Sequence, residues 1–254
     1  MTSLEIVPLT GLPLVGAGDD LTERIASAFR LNGVVPRAGD VLVVAQKIVS
    51  KAEGRIVDLA TVEPSARAVA LAADVGKDPR LVEVVLSESV RVVRARRGVL
   101  IVEHRLGFIM ANAGVDQSNV GPPDGSHRVL LLPENPDRSA QALRRGLATL
   151  TGIDIAVVIN DSFGRPWRQG TAGVAIGAAG LPALVDLRGQ PDLFGRRLEF
   201  TIIGFADEIA AAASLLMGQA DEALPAVLIR GLRWSAPEST AASIVRSPNE
   251  DLFR

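Results

Sequence analysis

The sequence predicts a mixed α+β protein: a larger sheet-and-helix domain, residues 1–89 and 170–254, interrupted by a smaller antiparallel-rich insertion domain, residues 90–169. Three observations predict it. Short, wholly apolar runs such as "DVLVVAQ" (40–46) have the length and β-branched content of strands covered on both faces. These runs alternate with segments that carry helix starts and stops. From residue 90 the texture changes to apolar residues alternating with arginines, broken by Gly98 and Gly107, the pattern of an antiparallel meander.

The elements follow in order. Leu4–Leu9 reads as a strand, and "AGDDLTERIASAFRLNG" supplies acidic residues at a helix start and a glycine stop. "EPSARAVALAADVG" and "PRLVEVVLSES" read as helices, each opened by a proline near its first turn. After the meander, "HRVLLLP" adds a strand, "PDRSAQALRRGLATLTG" a helix and "DIAVVIND" a buried strand. Past residue 170 come a segment rich in glycine and alanine, a strand at "LEFTIIG", a helix at "ADEIAAAASLLMGQ" and a strand at "PAVLIRG". There is no internal repeat.

Composition narrows the function. A chain of 254 residues with 48% hydrophobic and 22% charged content reads as a soluble globular protein, and a net charge of −2 gives no reason to expect nucleic acid or a membrane surface. No apolar run approaches the roughly 20 residues that span a bilayer, and no signal segment opens the chain, so the expected location is cytoplasmic. With no cysteine there is no thiolate nucleophile and no sulfur-ligated zinc, and two histidines are too few for a histidine-rich site. Any metal would be a hard cation held by oxygen. The sequence has no phosphate-loop motif: its Gly76-Lys77 pair is followed by Asp78. Kinase and serine-hydrolase signatures are also absent.

Four stretches carry chemistry. In "MANAGVDQSNVG" (110–121) four polar side chains occupy positions 116–119, more than one turn needs, although a self-satisfying Asx turn accounts for part of it. In "AVVINDSFGRPWRQG" (156–170) an apolar strand ends at Asn160-Asp161-Ser162, which places side chains firmly at the lip of an open loop. Asp161 and the Ser162 hydroxyl suit a hard cation, and Arg165 and Arg168 suit phosphate or carboxylate. Two of the three lysines, Lys47 and Lys51, fall in "QKIVSKAEG" (46–54), and a lysine is a point charge suited to a phosphate oxygen. "LTGLPLVGAGDD" (9–20) and "SLLMGQADEALP" (214–225) offer glycine-bearing backbone and an acidic loop; taken alone, each is an ordinary connector. Together these stretches point to metal-assisted phosphoryl chemistry.

Beyond that point the chain resembles the coenzyme F420-0:L-glutamate ligases, the γ-glutamyl ligases of deazaflavin biosynthesis. "GLPLVGAGDDL", "GDVLVVAQKIVSKAEGR", "NAGVDQSNV", "DSFGRPWRQG", "GRRLEFTIIGFADEIAAAASLLMGQ" and "PAVLIRGL" look like its blocks in order. The resemblance implies a homodimeric, intertwined ligase that uses GTP and Mn²⁺ or Mg²⁺, two ions, with K⁺ as a further candidate. It implies Asp116, Asp161, Ser162 and Gln219 as metal ligands. It also implies nucleotide contacts from Leu12, Pro13, Leu14, Val15, Gln46, Lys47, Lys51, Asn119 and the loop Met217, Gly218, Gln219, Ala220, Asp221, Glu222, Ala223 and Leu224. Lys51, Arg165 and Arg168 would neutralise charge during catalysis. The substrates would be GTP, L-glutamate and coenzyme F420-0 or a close precursor, joined through an acyl phosphate. The family often has Thr where Ser162 stands, a carboxylate can occupy the Gln219 position, and small hydroxyl residues occur at the Gln46-Lys47 position. A metal-dependent phosphohydrolase and a non-catalytic nucleotide- or deazaflavin-binding protein remain as alternatives. So does either a stand-alone ligase or the ligase part of a longer chain.

Overall fold

The computed structural model describes residues 3–120 and 127–251, so Gly121 of the first polar stretch lies outside the described residues. Strand β1 (Glu5–Pro8) leads through a glycine-bearing loop to α1 (Leu21–Leu31), whose N-cap Asp20 accepts the Thr22 N–H at 2.8 Å. β2 (Val41–Ala45) is buried along most of its length and turns directly into α2 (Gln46–Ala52), a short helix without a side-chain cap. The chain continues through β3 (Ile56–Asp58), α3 (Ala66–Val75) and α4 (Pro79–Ser87), the last opened by Asp78 as cap and Pro79 in its first turn. The meander follows as β4 (Ser89–Arg96), β5 (Val99–His104) and β6 (Ile109–Ala111), paired antiparallel in that order as the alternating pattern implies. Then come β7 (Arg128–Leu130) and α5 (Pro136–Thr151), stopped by Gly152 at φ 74°. The remainder is β8 (Ala156–Arg165), β9 (Arg168–Ala179), β10 (Val185–Asp186), β11 (Ile202–Ile203), α6 (Phe205–Met217) and β12 (Ala226–Arg230).

A five-stranded mixed sheet in the order β1-β12-β2-β8-β9 is the centre of the fold, with β2 and β8 parallel and the other neighbours antiparallel. One face packs against α1, α2 and α5 through residues such as Ile25, Phe29, Val49, Leu143 and Leu147. The other packs against α6 through Ile209, Ala210 and Ala213. A third apolar cluster gathers α3, α4 and the meander around Leu59, Val82, Leu100 and Val102. The mixed α/β class expected from the sequence is therefore present.

Three stretches differ from the sequence expectation. The strand that the sequence ends at residues 160–162 runs on to Arg165 and folds back into β9 as a long hairpin. The segment after residue 170, read only as rich in glycine and alanine, is the edge strand itself. The expected strand at 198–204 shrinks to Ile202–Ile203, after an excursion over 187–201 held by turn hydrogen bonds such as Gly189 N–H to Leu198 O at 2.7 Å.

The small residues of β9 have a packing reason. A Cβ built on Gly177 would lie 2.5 Å from the Pro136 carbonyl at the start of α5, and one built on Gly173 would lie 2.5 Å from the Ala210 carbonyl of α6. The two glycines face opposite helices because β9 carries one extra residue there: Ile159 pairs with Gly177 and Asn160 with Ala175, leaving Ile176 as a bulge. Outward N–H groups of this edge are covered by carboxylates, Ala175 by Asp207 at 2.9 Å and Ala178 by Asp137 at 2.8 Å. Gly177→Ala is expected to destabilise the protein by about 2 kcal/mol, because a backbone carbonyl cannot step aside as a side chain can. Urea unfolding measures it, and an unchanged midpoint would contradict the contact.

Candidate functional site

The first polar stretch is set by strained backbone. After β6, Asn112, Ala113 and Gly114 all take positive φ (51°, 53° and 67°), so the chain reverses sharply towards Asp116. A Cβ on Gly114 would come within 2.9 Å of Leu132 and Met110, so only glycine fits that corner. Asp116 is then fixed by exchanging backbone hydrogen bonds with Leu130, at 3.0 and 2.8 Å. Its Oδ1 accepts from the Ser118 N–H at 2.7 Å and from the Ser118 hydroxyl at 2.8 Å, the Asx turn that the pattern suggested.

Helix α2 presents both lysines to this turn. Lys47 Nζ lies 2.7 Å from Asp116 Oδ2 and donates to the Ser118 hydroxyl at 2.7 Å and to the Ser118 carbonyl at 3.2 Å. Lys51 Nζ donates to the Asn119 carbonyl at 2.5 Å. Gln46, on the same helix, is buried with its side-chain carbonyl accepting from Ser50 Oγ at 2.9 Å, so its amide is engaged inside the fold.

The second polar stretch meets the first. Burial, and then the nearby charge of Asp116, push the Asp161 carboxyl up to about 7, against the Ser162 N–H at 2.8 Å and the charge of Lys47. Asp116 moves the other way. Burial opposes its ionisation, but the Lys47 and Ser118 hydrogen bonds and the Lys47 charge outweigh that, holding it below the usual carboxylate range. Burial, followed by repulsion from Lys47, lowers Lys51. Asp116, Asp161, Lys47 and Lys51 thus form one electrostatic group.

The loop after α6 closes the other side. Ser162 Oγ and Gln219 Oε1 lie 2.7 Å apart, and Asn119 Nδ2 donates to the Ala220 carbonyl at 3.1 Å. The loop is kept tight by Glu222, which accepts the Ala220 N–H at 2.8 Å, and by positive φ at Gly218 and Ala223. Asp221 is exposed and Leu224 half-buried, while Met217 ends α6 in the core. The 12–15 segment is anchored beside α2 by the Gly18 N–H to Ala52 O bond at 2.9 Å. Leu14 and Pro13 are exposed, Leu12 half-buried and Val15 buried. Among the described residues the backbone N–H groups of Leu12, Leu14 and Val15 donate no hydrogen bond.

Arg165 and Arg168 stand apart from this group. They pair with each other across the β8–β9 turn, about 13 Å along the strand from Asp161 at roughly 3.3 Å per residue. Arg165 donates to the Gln169 carbonyl at 3.1 Å, Arg168 is exposed, and the turn holds Trp167 at φ 64° in solvent.

Two side chains at the site were not singled out as site residues from the sequence. Ser118 bridges Asp116 and Lys47; its place two residues after an aspartate in a turn was the available signal. Asn160 is buried and donates to Ser214 Oγ at 2.9 Å and Met217 Sδ at 3.3 Å, tying β8 to the end of α6 from which the Gln219 loop departs. An amide ending a wholly apolar run was the signal there.

The donor set fits a hard cation. Carboxylates, a hydroxyl and an amide carbonyl are all oxygen donors, and two mutually repelling carboxylates favour a cation between them. Among the described residues no three His, Cys, Asp or Glu side chains cluster, so a metal would rest on two carboxylates completed by neutral oxygens. A cleft of about 800 Å³ lined by the first turns of α1 and α5 contains neither Asp116 nor Asp161. No helix of the described residues is long and apolar enough to cross a membrane.

The chain matches the family described as F420-0:Gamma-glutamyl ligase over residues 11–231, a span that includes every one of these site residues. It is 48% identical to the coenzyme F420:L-glutamate ligase of Methanopyrus kandleri, with 100% of this chain and 99% of that protein covered. It is 46% identical to the protein of the same name from Methanothermobacter thermautotrophicus, with 99% of each chain covered. Against that from Archaeoglobus fulgidus it is 45% identical, with 99% of this chain and 96% of the other covered.

Proposed function

The chain belongs to the F420-0:gamma-glutamyl ligase family, and from that membership we propose that it joins L-glutamate to coenzyme F420-0 in a reaction driven by GTP and a divalent metal, Mn²⁺ or Mg²⁺. The observation that carries the reading is the single electrostatic group of Lys47, Asp116 and Asp161, drawn from α2, the 112–120 turn and β8. A carboxylate oxygen of the deazaflavin substrate attacks the γ-phosphorus of GTP, GDP departs, and an acyl phosphate forms. The amine of glutamate then attacks the acyl carbon, the bond to the phosphate oxygen breaks, and the amine gives up a proton as the amide forms. Repetition on the γ-carboxyl would extend a γ-linked tail.

In this reading Asp116, Asp161, the Ser162 hydroxyl and the Gln219 carbonyl hold two metal ions, with K⁺ as a further candidate. A divalent ion there would neutralise phosphate charge and align the transferred group. The protein's own side chains do the rest by position and charge. Lys47 and Lys51 meet phosphate oxygens, the free N–H groups of the 12–15 segment and the 217–224 loop enclose the nucleotide, and Asn119 fixes that loop through Ala220. Arg165 and Arg168, the second of them exposed on a hairpin, would capture a carboxylate or phosphate of the incoming substrate. The reading includes a homodimer, and the almost fully exposed Leu193, Phe194 and Phe200 on the 187–201 excursion suit burial against a second copy.

Incubation with GTP, Mn²⁺, L-glutamate and coenzyme F420-0 is expected to give products heavier by successive glutamyl units in the mass spectrum. GTP hydrolysis without glutamylated product would overturn the ligase reading in favour of a phosphohydrolase. Nucleotide binding without turnover would leave a binding protein.

A further inference from the structure

The ammonium of Lys47 is coordinated as a small cation would be. Its three N–H donors are met by a carboxylate oxygen of Asp116, the hydroxyl of Ser118 and the carbonyl of Ser118, at 2.7, 2.7 and 3.2 Å. Lys47 and Asp116 have side chains only 30% and 32% exposed, so solvent and salt screen the pair incompletely. The lysine therefore stands against a carboxylate that the proposed function assigns to a divalent ion. An ammonium and a divalent ion on one carboxylate repel each other, so each weakens the other's hold on Asp116.

Nor can the ammonium withdraw without consequence. Lys51 lies one helical turn further along α2, and burial, followed by the nearby charge of Lys47, lowers its pKa. Its own Nζ is engaged by the Asn119 carbonyl. An ammonium that leaves Asp116 needs a new anion within reach of a lysine stem, and a nucleotide phosphate between α2 and the 112–120 turn supplies one.

We propose that Lys47 is the resident counter-cation of Asp116 and cedes that carboxylate to a divalent ion only when a nucleotide phosphate receives its ammonium, so that metal and nucleotide load together. The inference rests on the metal and nucleotide assignments of the proposed function. Its thermodynamic form is a positive coupling between the two ligands, equal in both directions. Without nucleotide, Lys47 competes with the metal. With nucleotide, it becomes part of the phosphate site, and the competition disappears.

The test is Mn²⁺ binding to the protein, read from the paramagnetic resonance signal of free Mn²⁺, without turnover. Lys47→Met, lacking the charge, is expected to bind Mn²⁺ about tenfold more tightly than wild type in the absence of nucleotide, since a charge at hydrogen-bond distance changes the cation affinity of a carboxylate by about that factor or more. A non-hydrolysable GTP analogue is expected to tighten Mn²⁺ binding in wild type by at least fivefold more than in Lys47→Met. Lys47→Gln keeps a polar group near Ser118 and should follow Lys47→Met, so it carries the comparison if the methionine variant fails to fold. Equal or weaker Mn²⁺ affinity in the nucleotide-free charge-removed variants would overturn the proposal. Asp116→Asn separates the two levels: undiminished Mn²⁺ binding there would remove the metal assignment itself, whatever Lys47 does.

Discussion

Asp116→Asn and Asp161→Asn are each expected to lower kcat/KM for glutamate addition by about a thousandfold or more, roughly 4 kcal/mol of transition-state stabilisation, while the fold survives. The substitution keeps shape and removes charge. In Asp116→Asn the side-chain carbonyl can still accept from the Ser118 N–H, which now meets Oδ1 at 2.7 Å, so the turn is retained. Only the ion pair with Lys47 is lost, and that pair is about one-third exposed and contributes modestly to stability. Asp161→Asn should leave the melting temperature unchanged or raise it, because burial and the charge of Asp116 already disfavour the ionised form of Asp161. Circular dichroism melts beside the glutamylation assay separate the two effects. Wild-type rates in either variant would mean that these carboxylates do not hold the metal.

The second large effect concerns stability. Glu88 follows α4 and is nearly buried, with Oε1 2.9 Å from Arg55 Nη2 and Oε2 accepting from Arg105 Nε at 3.0 Å. His104 Nε2 lies 3.5 Å from the same oxygen, and because His104 Nδ1 accepts the Leu106 N–H at 3.0 Å, the ring proton belongs on Nε2, facing Glu88. Burial works against the charge, but His104, Arg55 and Arg105 together prevail and bring the Glu88 carboxyl down to about 2 from 4.5. Arg55 also donates to the Leu132 carbonyl at 3.0 Å and Arg105 to the Glu134 carbonyl at 2.9 Å, so this one carboxylate joins the end of α2, the meander and the approach to α5.

Glu88→Gln is expected to reduce stability at pH 7 by about 3 kcal/mol, since two guanidinium groups lose their buried counter-charge. The pH dependence follows from the direction of the shift. A carboxyl depressed in the folded state stabilises that state above its unfolded value of 4.5 and loses the contribution as pH falls towards about 2. Urea unfolding at pH 7, 4.5 and 3 should show the gap between wild type and Glu88→Gln shrinking across that window. A constant gap would assign the loss to packing instead of charge.

Much of this was legible in the sequence because local rules and tertiary demands agreed. β2 and β12 are apolar runs of strand length, α5 runs from an asparagine cap and Pro136 to Gly152, and the alternation over 90–111 is a true meander. The polar stretches at 112–120 and 160–162 were visible as excess polarity beside apolar strands. What stayed hidden was decided elsewhere in the chain. β9 has the composition that strands avoid, and its small residues answer to the backbones of α5 and α6. α2 is too short for periodicity and has no capping side chain, so "QKIVSKA" gave no helix signal, though its lysines stood out by type. The partnership of Lys47 with Asp116 spans nearly 70 residues and no local pattern encodes it.

The bulge at Ile176 makes positions on either side of it along β9 inequivalent. Counted along the chain, Gly173 and Gly177 are four apart, a spacing that in a regular strand would give them a common fate. The additional residue between them breaks that equivalence. A methyl group at 177 would strike the opening of α5 and be felt as a loss of stability alone. The same methyl group at 173 would crowd Ser214 and Asn160, and through them the helix end that delivers Gln219 to Ser162. Two chemically identical lesions on one strand would therefore separate into a folding defect and a defect at the proposed metal site, divided by a single miscounted residue.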